Sequence, residues 1–386
     1  MFEGHLQELR DHHLFRELHP LASATGPTIT LHGRSVILLS SNNYLGLATH
    51  PSVIEAAVET TKRYGAGAGA SRLVCGTLPS HQALETALAE FKGTEAALSF
   101  GSGYLANIGV IPTLIGKTDL IFADRLCHAS LIEGCRLSGA TLRIYRHCDM
   151  NHLEQLLAKR SPAKPTLIVT DGLFSMDGDI APLADLTRLA KRYGANVYVD
   201  DAHGTGILGS TGRGTLEHCG VESSLPYHMG TLSKAIGSVG GYLAGSRSFI
   251  DYLINTCRAF IYTTASPPAS AAAATAALRI IQEEPARRIR LWENRNRLVQ
   301  ALTSLGFQLG PSASPILPII VGAPERAIRL AQTLLTFGVY APAIRPPTVP
   351  PATSRIRLTV TADHTAEQLD EVVSALERAG QALRLI

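Results

Sequence analysis

The sequence predicts an α/β protein: a large domain on a mostly parallel sheet covered by helices, followed by a small C-terminal α+β domain. Three observations carry that expectation. Short apolar runs alternate with helix-period stretches through the middle of the chain, the rhythm that strand–helix–strand crossovers impose on a parallel sheet. Near residue 280 the rhythm changes, and strands and helices then follow at a different spacing. Finally, the 386 residues are 45% hydrophobic and 17% charged, with 34 glycines and 21 prolines spread along them, a balance that excludes disorder and a single small module.

Taken in order, residues 1–45 are expected to pack with the small domain, residues 46–282 to form the large domain and 283–386 the small one. Strands are expected at 96–100, 119–123, 142–145, 166–170, 196–199 and 242–244, where apolar runs lie between turn-formers. Helices are expected at 82–91, 153–159 and 183–193, where apolar residues recur three and four apart. Residues 283–305 read as one long helix broken only at its start by Pro285. A strand at 316–321, a helix at 325–337, a proline-dense loop at 341–351, a strand at 355–359 and a final helix at 366–379 complete the small domain.

A net charge of +3 is too small to draw phosphate backbones or anionic lipid to the surface by field alone, so no nucleic-acid partner is expected. No apolar run reaches the ~18 residues of a membrane span, so no membrane partner is expected either. Glu3, Glu8, Arg10, Asp11 and Arg16 interrupt the amino-terminal segment, which cannot then serve as a signal peptide; a cytoplasmic protein is expected. Cys75, Cys127, Cys135, Cys148, Cys219 and Cys257 never approach a Cys-x-x-Cys spacing, so neither disulfides nor a metal site is expected.

In open α/β sheets ligands bind beyond the carboxyl ends of the strands, so reactive residues are sought just after each apolar run. Four places stand out. Gly101-Ser102-Gly103-Tyr104 stands between a strand and a helix expected to start near Leu105, a turn whose bare N–H groups can take an anion. His128 follows the strand at 119–123. Asp200 ends the strand at 196–199, with His203 three residues on; a carboxylate buried there needs a cationic partner. Lys234 lies in the small-residue loop Gly230-Thr231-Leu232-Ser233-Lys234, and a confined lysine can lose its proton and attack a carbonyl. Each feature has an ordinary alternative: a tight turn, a packed histidine, a solvated lysine. Together they ask for a ligand with a phosphate, an aromatic ring, a basic ring nitrogen and an aldehyde, which pyridoxal 5'-phosphate combines. Lys234 would form a Schiff base, Asp200 would keep the ring nitrogen protonated, and the ring would accept electrons from a carbanion at an amino-acid Cα.

In five blocks, in one order, the chain resembles the α-oxoamine synthases of the aspartate aminotransferase fold. The blocks are Ser40-Ser41-Asn42-Asn43-Tyr44-Leu45-Gly46-Leu47, Asp124-Arg125-Leu126-Cys127-His128-Ala129-Ser130, Phe174-Ser175-Met176-Asp177-Gly178-Asp179, Val199-Asp200-Asp201-Ala202-His203-Gly204-Thr205-Gly206 and Thr231-Leu232-Ser233-Lys234. The resemblance implies a PLP-dependent transferase of fold type I with a seven-stranded sheet. It implies that Lys234 is the Schiff-base lysine, Asp200 the partner of the ring nitrogen, His203 a donor to the ring hydroxyl and His128 the residue stacked on the ring. Ser175 would be a further ring-oxygen contact, and Ser102, Gly103, Tyr104 and Thr231 the phosphate cradle. Thr264 would reach the phosphate from a second copy, so a homodimer with shared active sites is implied. On the substrate side the resemblance points to Arg16, Asn42, Thr348 and Arg357, the last holding the amino-acid carboxylate. Arg355, two residues away on the same expected strand, should face the same side, leaving an exchange of roles open.

The tail Ala343-Ile344-Arg345-Pro346-Pro347-Thr348-Val349-Pro350 is most similar to the branch of the family that joins L-alanine to a pimeloyl thioester, carried on coenzyme A or an acyl carrier protein, in biotin biosynthesis. Glycine-using members of the family, of the 2-amino-3-ketobutyrate ligase or 5-aminolevulinate synthase type, are the nearest alternatives. An aminotransferase and a non-catalytic module are more distant ones. Asn43 and Cys75 depart from the commonest family pattern. The run Arg287, Arg288, Arg290, Arg295 and Arg297 is interrupted by Glu293 and reads as a solvated helix face.

Overall fold

The computed structural model describes residues 2–386; Met1, where the expected amino-terminal segment begins, lies outside the described residues. The chain divides into two compact units, one of His50–Phe174 and Ile180–Pro285, the other of the residues up to Thr49, Ser175–Asp179 and Ala286–Ile386.

The larger unit is built on strands β1 (Ala96–Phe100), β2 (Leu120–Asp124), β3 (Thr141–Tyr145), β4 (Thr166–Asp171), β5 (Asn196–Asp200), β6 (Tyr227–Thr231) and β7 (Gly241–Gly245). They form one seven-stranded sheet in the order β1-β7-β6-β5-β4-β2-β3. Only β7 runs against its neighbours; the remaining pairings are parallel. The strands are apolar on both faces because helices cover both. Alternation along each strand divides the core in two: Ile121, Ala123, Leu167, Val169 and Tyr198 join one cluster, while Leu120, Phe122, Ile168, Val197 and Val199 join the other. β3, at the edge, keeps only Tyr145 fully buried.

Helix α1 (Gly103–Leu114) follows β1 directly, its first turn capped by Ser102, whose Oγ accepts the Leu105 N–H at 3.0 Å. Helix α2 (Ala129–Leu137) follows β2. The two meet at Gly134, where a Cβ would stand 2.7 Å from the Asn107 carbonyl oxygen. The alanine-rich helix Pro268–Glu283 buries Ala271, Ala273, Ala274 and Ala277, small enough to let the helices Pro51–Tyr64 and Pro79–Lys92 pack against it.

Several elements differ from the sequence expectation. Strand β6 was not expected, because Tyr227-His228-Met229-Gly230-Thr231 is neither an apolar run nor a clean alternation; it sits between β5 and β7 and carries Thr231. The long helix expected at 283–305 runs over Pro285–Ser304, and a separate helix, Pro268–Glu283, ends just before it. Pro285 restricts the residue before it, and Glu284 leaves helical geometry at φ −117°, ψ 63°. Helix α1 starts at Gly103, two residues ahead of the expected start. The proline-dense loop holds a short strand, Ala343–Ile344, and a cis Pro346–Pro347 bond.

In the smaller unit, Ser354–Thr359 pairs antiparallel with Ile316–Gly322 on one side and with Ala343–Ile344 on the other. A second sheet joins Thr28–Leu31, Arg34–Leu38 and Val339–Tyr340, tying the amino-terminal segment to the carboxyl-terminal one. Helix Ala366–Ala382 opens on a capping box between Thr365 and Gln368. Among the described residues no helix is long and apolar enough to cross a membrane.

Candidate active site

Two adjacent aspartates end β5 and point opposite ways, as successive strand residues do. Asp201 turns into the protein, where its carboxylate accepts the Thr215 N–H at 3.1 Å and lies 3.5 Å from the buried Lys92 ammonium. That pair is committed to structure. Asp200 turns the other way. Its Oδ2 accepts from Asn107 Nδ2 at 2.7 Å and its Oδ1 from the Ala202 N–H at 2.9 Å. Asn107 is itself fixed: its Oδ1 accepts from the Tyr198 hydroxyl at 3.0 Å, and Nδ2 also donates to Ser130 Oγ at 2.9 Å. Asp200 is 4% exposed and Asn107 1%, so this carboxylate is aimed by a relay that cannot rotate freely.

His128 caps α2. Its backbone N–H donates to Asp171 Oδ2 at 2.9 Å, and Nδ1 pairs with Ser130 Oγ at 2.7 Å. Loss of water holds the His128 imidazole below its ordinary pKa; the negative charge of Asp200 opposes that shift and the positive charge of Lys234 adds to it. Burial, reinforced by the charge of Asp200, pushes Asp171 well above the usual carboxylate range, against the pull of the His128 N–H and of Lys234. Lys234 and Asp200 both act on His128 and on Asp171, so amine and carboxylate lie near one another at the carboxyl ends of β2, β4, β5 and β6. Asp200 and His203 are buried, and Lys234 is partly so.

The β1–α1 turn stands at the carboxyl end of β1. A Cβ on Gly241 of β7 would come within 2.7 Å of the Gly103 nitrogen, and one on Gly103 would meet Thr231 Oγ1 at 3.5 Å. The strands therefore press this turn against β6, leaving the α1 amino terminus, with Ser102 and Gly103, beside Thr231, a helix start whose N–H groups suit an anion. Thr231 Oγ1 is fixed by the Gly240 carbonyl and the Ser233 hydroxyl, each at 2.8 Å. Tyr104 is exposed. Thr264 is exposed too, in an isolated bridge with Ser71.

Ser175 and the four expected substrate-side residues belong to the smaller unit. Arg357 Nη2 donates to Asn42 Oδ1 at 2.9 Å and to the Tyr44 hydroxyl at 3.3 Å, while its buried Nε has no partner. Arg355 is engaged throughout: Nη1 meets Asp177 Oδ1 at 2.6 Å and the Met176 carbonyl at 3.1 Å, and Nε meets the Thr353 carbonyl at 3.0 Å. Arg16 donates to the Pro346 carbonyl at 2.9 Å, fastening the amino-terminal segment to the proline-rich loop. Thr348 is exposed in that loop. Sequence reasoning missed Asn107, Tyr198 and Asp171. The available signal was a polar residue inside the apolar helix Leu105-Ala106-Asn107-Ile108.

A buried, tethered carboxylate, a lysine and an imidazole in its field, and the start of a helix suit pyridoxal 5'-phosphate part by part. Fold and site together define a pyridoxal-phosphate enzyme of the aminotransferase fold. The model of the "Aminotransferase class I and II" family matches residues 34–376. The chain is 50% identical over 385 residues to the 8-amino-7-oxononanoate synthase of Geobacter sulfurreducens, covering 99% of this chain and 98% of that protein. It is 48% identical to the enzyme of the same name from Symbiobacterium thermophilum, covering 99% and 97%. Among solved structures, a serine palmitoyltransferase variant from S. paucimobilis with a bound PLP–myriocin aldimine matches with a TM-score of 0.96 at 34% identity, covering 100% of this chain and 98% of that one. The chain belongs to the class I and II aminotransferase family and, within it, to the 8-amino-7-oxononanoate synthases.

Proposed function

We propose that this chain joins L-alanine to a pimeloyl thioester, on coenzyme A or an acyl carrier protein, and releases carbon dioxide, free thiol and 8-amino-7-oxononanoate. The observation that carries this reading is Asp200: a buried carboxylate with both oxygens held in place and a lysine near it. Pyridoxal phosphate, when bound, supplies an aldehyde for amine capture and a protonated ring that accepts the electron pair of a Cα carbanion.

Lys234 would hold the aldehyde, and its ε-nitrogen would be the base that moves the Cα proton. Asp200 would meet the ring nitrogen, His203 and Ser175 the ring oxygen, and His128 the ring face and the carbonyl of the β-keto acid. Ser102, Gly103, Tyr104 and Thr231 hold the phosphate. Arg357 takes the amino-acid carboxylate, because its Nε remains to be satisfied whereas Arg355 is already occupied by Asp177. Asn42, which positions the Arg357 fork, lies on the substrate side with Arg16 and Thr348.

Thr264 completes the phosphate site of a second copy in a homodimer. Leu73 (54% exposed), Val74 (78%) and Tyr262 (73%) lie around the bridge that joins Ser71 to Thr264, and such a cluster of exposed apolar side chains marks a surface that another chain covers.

The deciding assay incubates the protein with pyridoxal phosphate, alanine or glycine, and thioesters of graded acyl length, and follows thiol and carbon dioxide release. Release fastest with alanine and the pimeloyl thioester is the expected result. Amino transfer to a keto acid without thiol release would overturn the proposal. Lys234→Ala is expected to keep the fold and to lose both condensation and the visible absorbance of the bound cofactor.

A further inference from the structure

Outside the candidate site, three side chains at the carboxyl ends of β2 and β3 form a second reactive constellation. Cys148 Sγ lies 3.7 Å from His147 Nε2, and His147 Nδ1 lies 2.8 Å from Asp124 Oδ1. The imidazole is clamped edge-on against Phe174, ring centroids 4.5 Å apart at 90°. Asp124 also accepts the backbone N–H groups of Leu126 and Cys148, each at 2.8 Å. With Nδ1–H given to the carboxylate, Nε2, which faces the Cys148 sulfur, can accept the thiol proton, the order of nucleophile, base and orienting acid that activates cysteine elsewhere. Cys148 also has a φ of 51°, a left-handed conformation that a non-glycine residue adopts at a cost and that Asp124 fixes through the Cys148 N–H. Other charged and titratable groups in the field of this cluster are Tyr145, Cys127 and Asp171, the last a second carboxyl group acting on Asp124, and Arg146, Asp149 and His152 stand beside it in the chain. Arg146 is drawn away by Asp149 at 2.8 Å, and its N–H occupies His152 Nδ1 at 2.9 Å.

We infer that Cys148 is a modification site, a thiol activated by the His147–Asp124 pair to react with hydroperoxides. His147 Nε2 takes the thiol proton, and the sulfur attacks the distal peroxide oxygen. An S–O bond forms as the O–O bond breaks, and the departing alkoxide or hydroxide takes the proton from the imidazolium. Sulfur is oxidised by two electrons to the sulfenic acid and the peroxide is reduced to an alcohol or water. The remaining thiols do not compete on equal terms: burial pushes Cys127, Cys135, Cys219 and Cys257 up, and Cys75, though exposed, has no comparable histidine–carboxylate cluster among the described residues.

The test uses the full-length, cofactor-loaded protein and iodoacetamide, with labelling of each of the six cysteines quantified by peptide mass spectrometry. At pH 6 Cys148 should alkylate at least ~10-fold faster than Cys75, and its rate should fall less than ~10-fold between pH 8 and 6, where a thiol of ordinary pKa loses about 70-fold. His147→Asn should bring Cys148 to the rate and pH slope of Cys75. Hydrogen peroxide followed by dimedone should then label Cys148 first. A Cys148 rate no higher than that of Cys75 at pH 6, or one unchanged in His147→Asn, overturns the inference; if that variant does not fold, the wild-type pH profile decides alone.

Discussion

At the scale of single residues, the site depends on side chains that never touch a substrate. Asn107 stands between Tyr198 and Asp200, so Asn107→Leu removes an acceptor from one and a donor from the other. The expected loss is about 2 kcal/mol of stability, since unsatisfied buried groups keep their full desolvation penalty. Urea unfolding of the cofactor-free protein measures it, and a cofactor titration should show weaker binding; an unchanged midpoint would show the relay to be ornamental. The two arginines allow a sharper contrast. Arg357→Lys should raise KM for the amino acid ~10-fold or more with little change in unfolding, because lysine cannot offer a forked pair of donors. Arg355→Lys should instead lower the unfolding midpoint, because it breaks the contact with Asp177. The opposite pattern in steady-state kinetics and thermal melts would assign the carboxylate to Arg355. Residue types and strand ends singled out Lys234, Asp200, His128 and His203 in the sequence, and the charges of Lys234 and Asp200 both reach His128. The tether on Asp200 was not legible, because Asn107 is 93 residues away in the chain and only folding brings it near.

At the scale of elements, apolar runs revealed the strands whose two faces are both covered, and the helix Leu183–Tyr193 was legible end to end because its apolar face is regular and a left-handed Gly194 stops it. β6 was not legible. A strand in the middle of a sheet draws its burial from neighbours, so Gly230 and His228 can occupy it without any local signature. Gly230 faces Tyr242, whose hydroxyl a Cβ would meet at 2.4 Å. The β1–α1 turn makes the same kind of demand at Gly241. Gly241→Ala should push the Ser102–Gly103 turn away from β7, cost about 1–3 kcal/mol and lower cofactor affinity. Gly67→Ala, where nothing lies within 4 Å, should change neither. Thermal melts with and without cofactor separate the two; equal effects would mean that the close approach at Gly241 is easily relieved.

At the scale of the whole molecule, each unit carries a buried neutral histidine. In the smaller unit His364 Nδ1 accepts the Thr361 N–H at 2.9 Å and Nε2 faces the Leu38 carbonyl at 3.1 Å, and burial brings its pKa down to about 4. In the larger unit burial, helped by the charge of Lys92, brings His228 down to about 4 as well. The unfolded chain takes up these protons near 6.5 and the folded chain near 4, so stability is intact above about 6.5 and is lost as pH falls between the two values. Between pH 7.5 and 5 each histidine should cost roughly 2 kcal/mol, read from urea unfolding. His364→Gln should flatten its share of the slope, and a free energy that rises on acidification would contradict the assignment. One further consequence follows from the antiparallel β7, last of the seven strands in the chain yet seated between β1 and β6. A ribosome that has delivered everything up to residue 240 leaves β6 with an open edge and β1 with no neighbour to pair with. The turn proposed to hold the phosphate, which draws on β1, β6 and β7 together, therefore closes late in synthesis, and until it does the nascent chain is most exposed to pairing with the wrong strand.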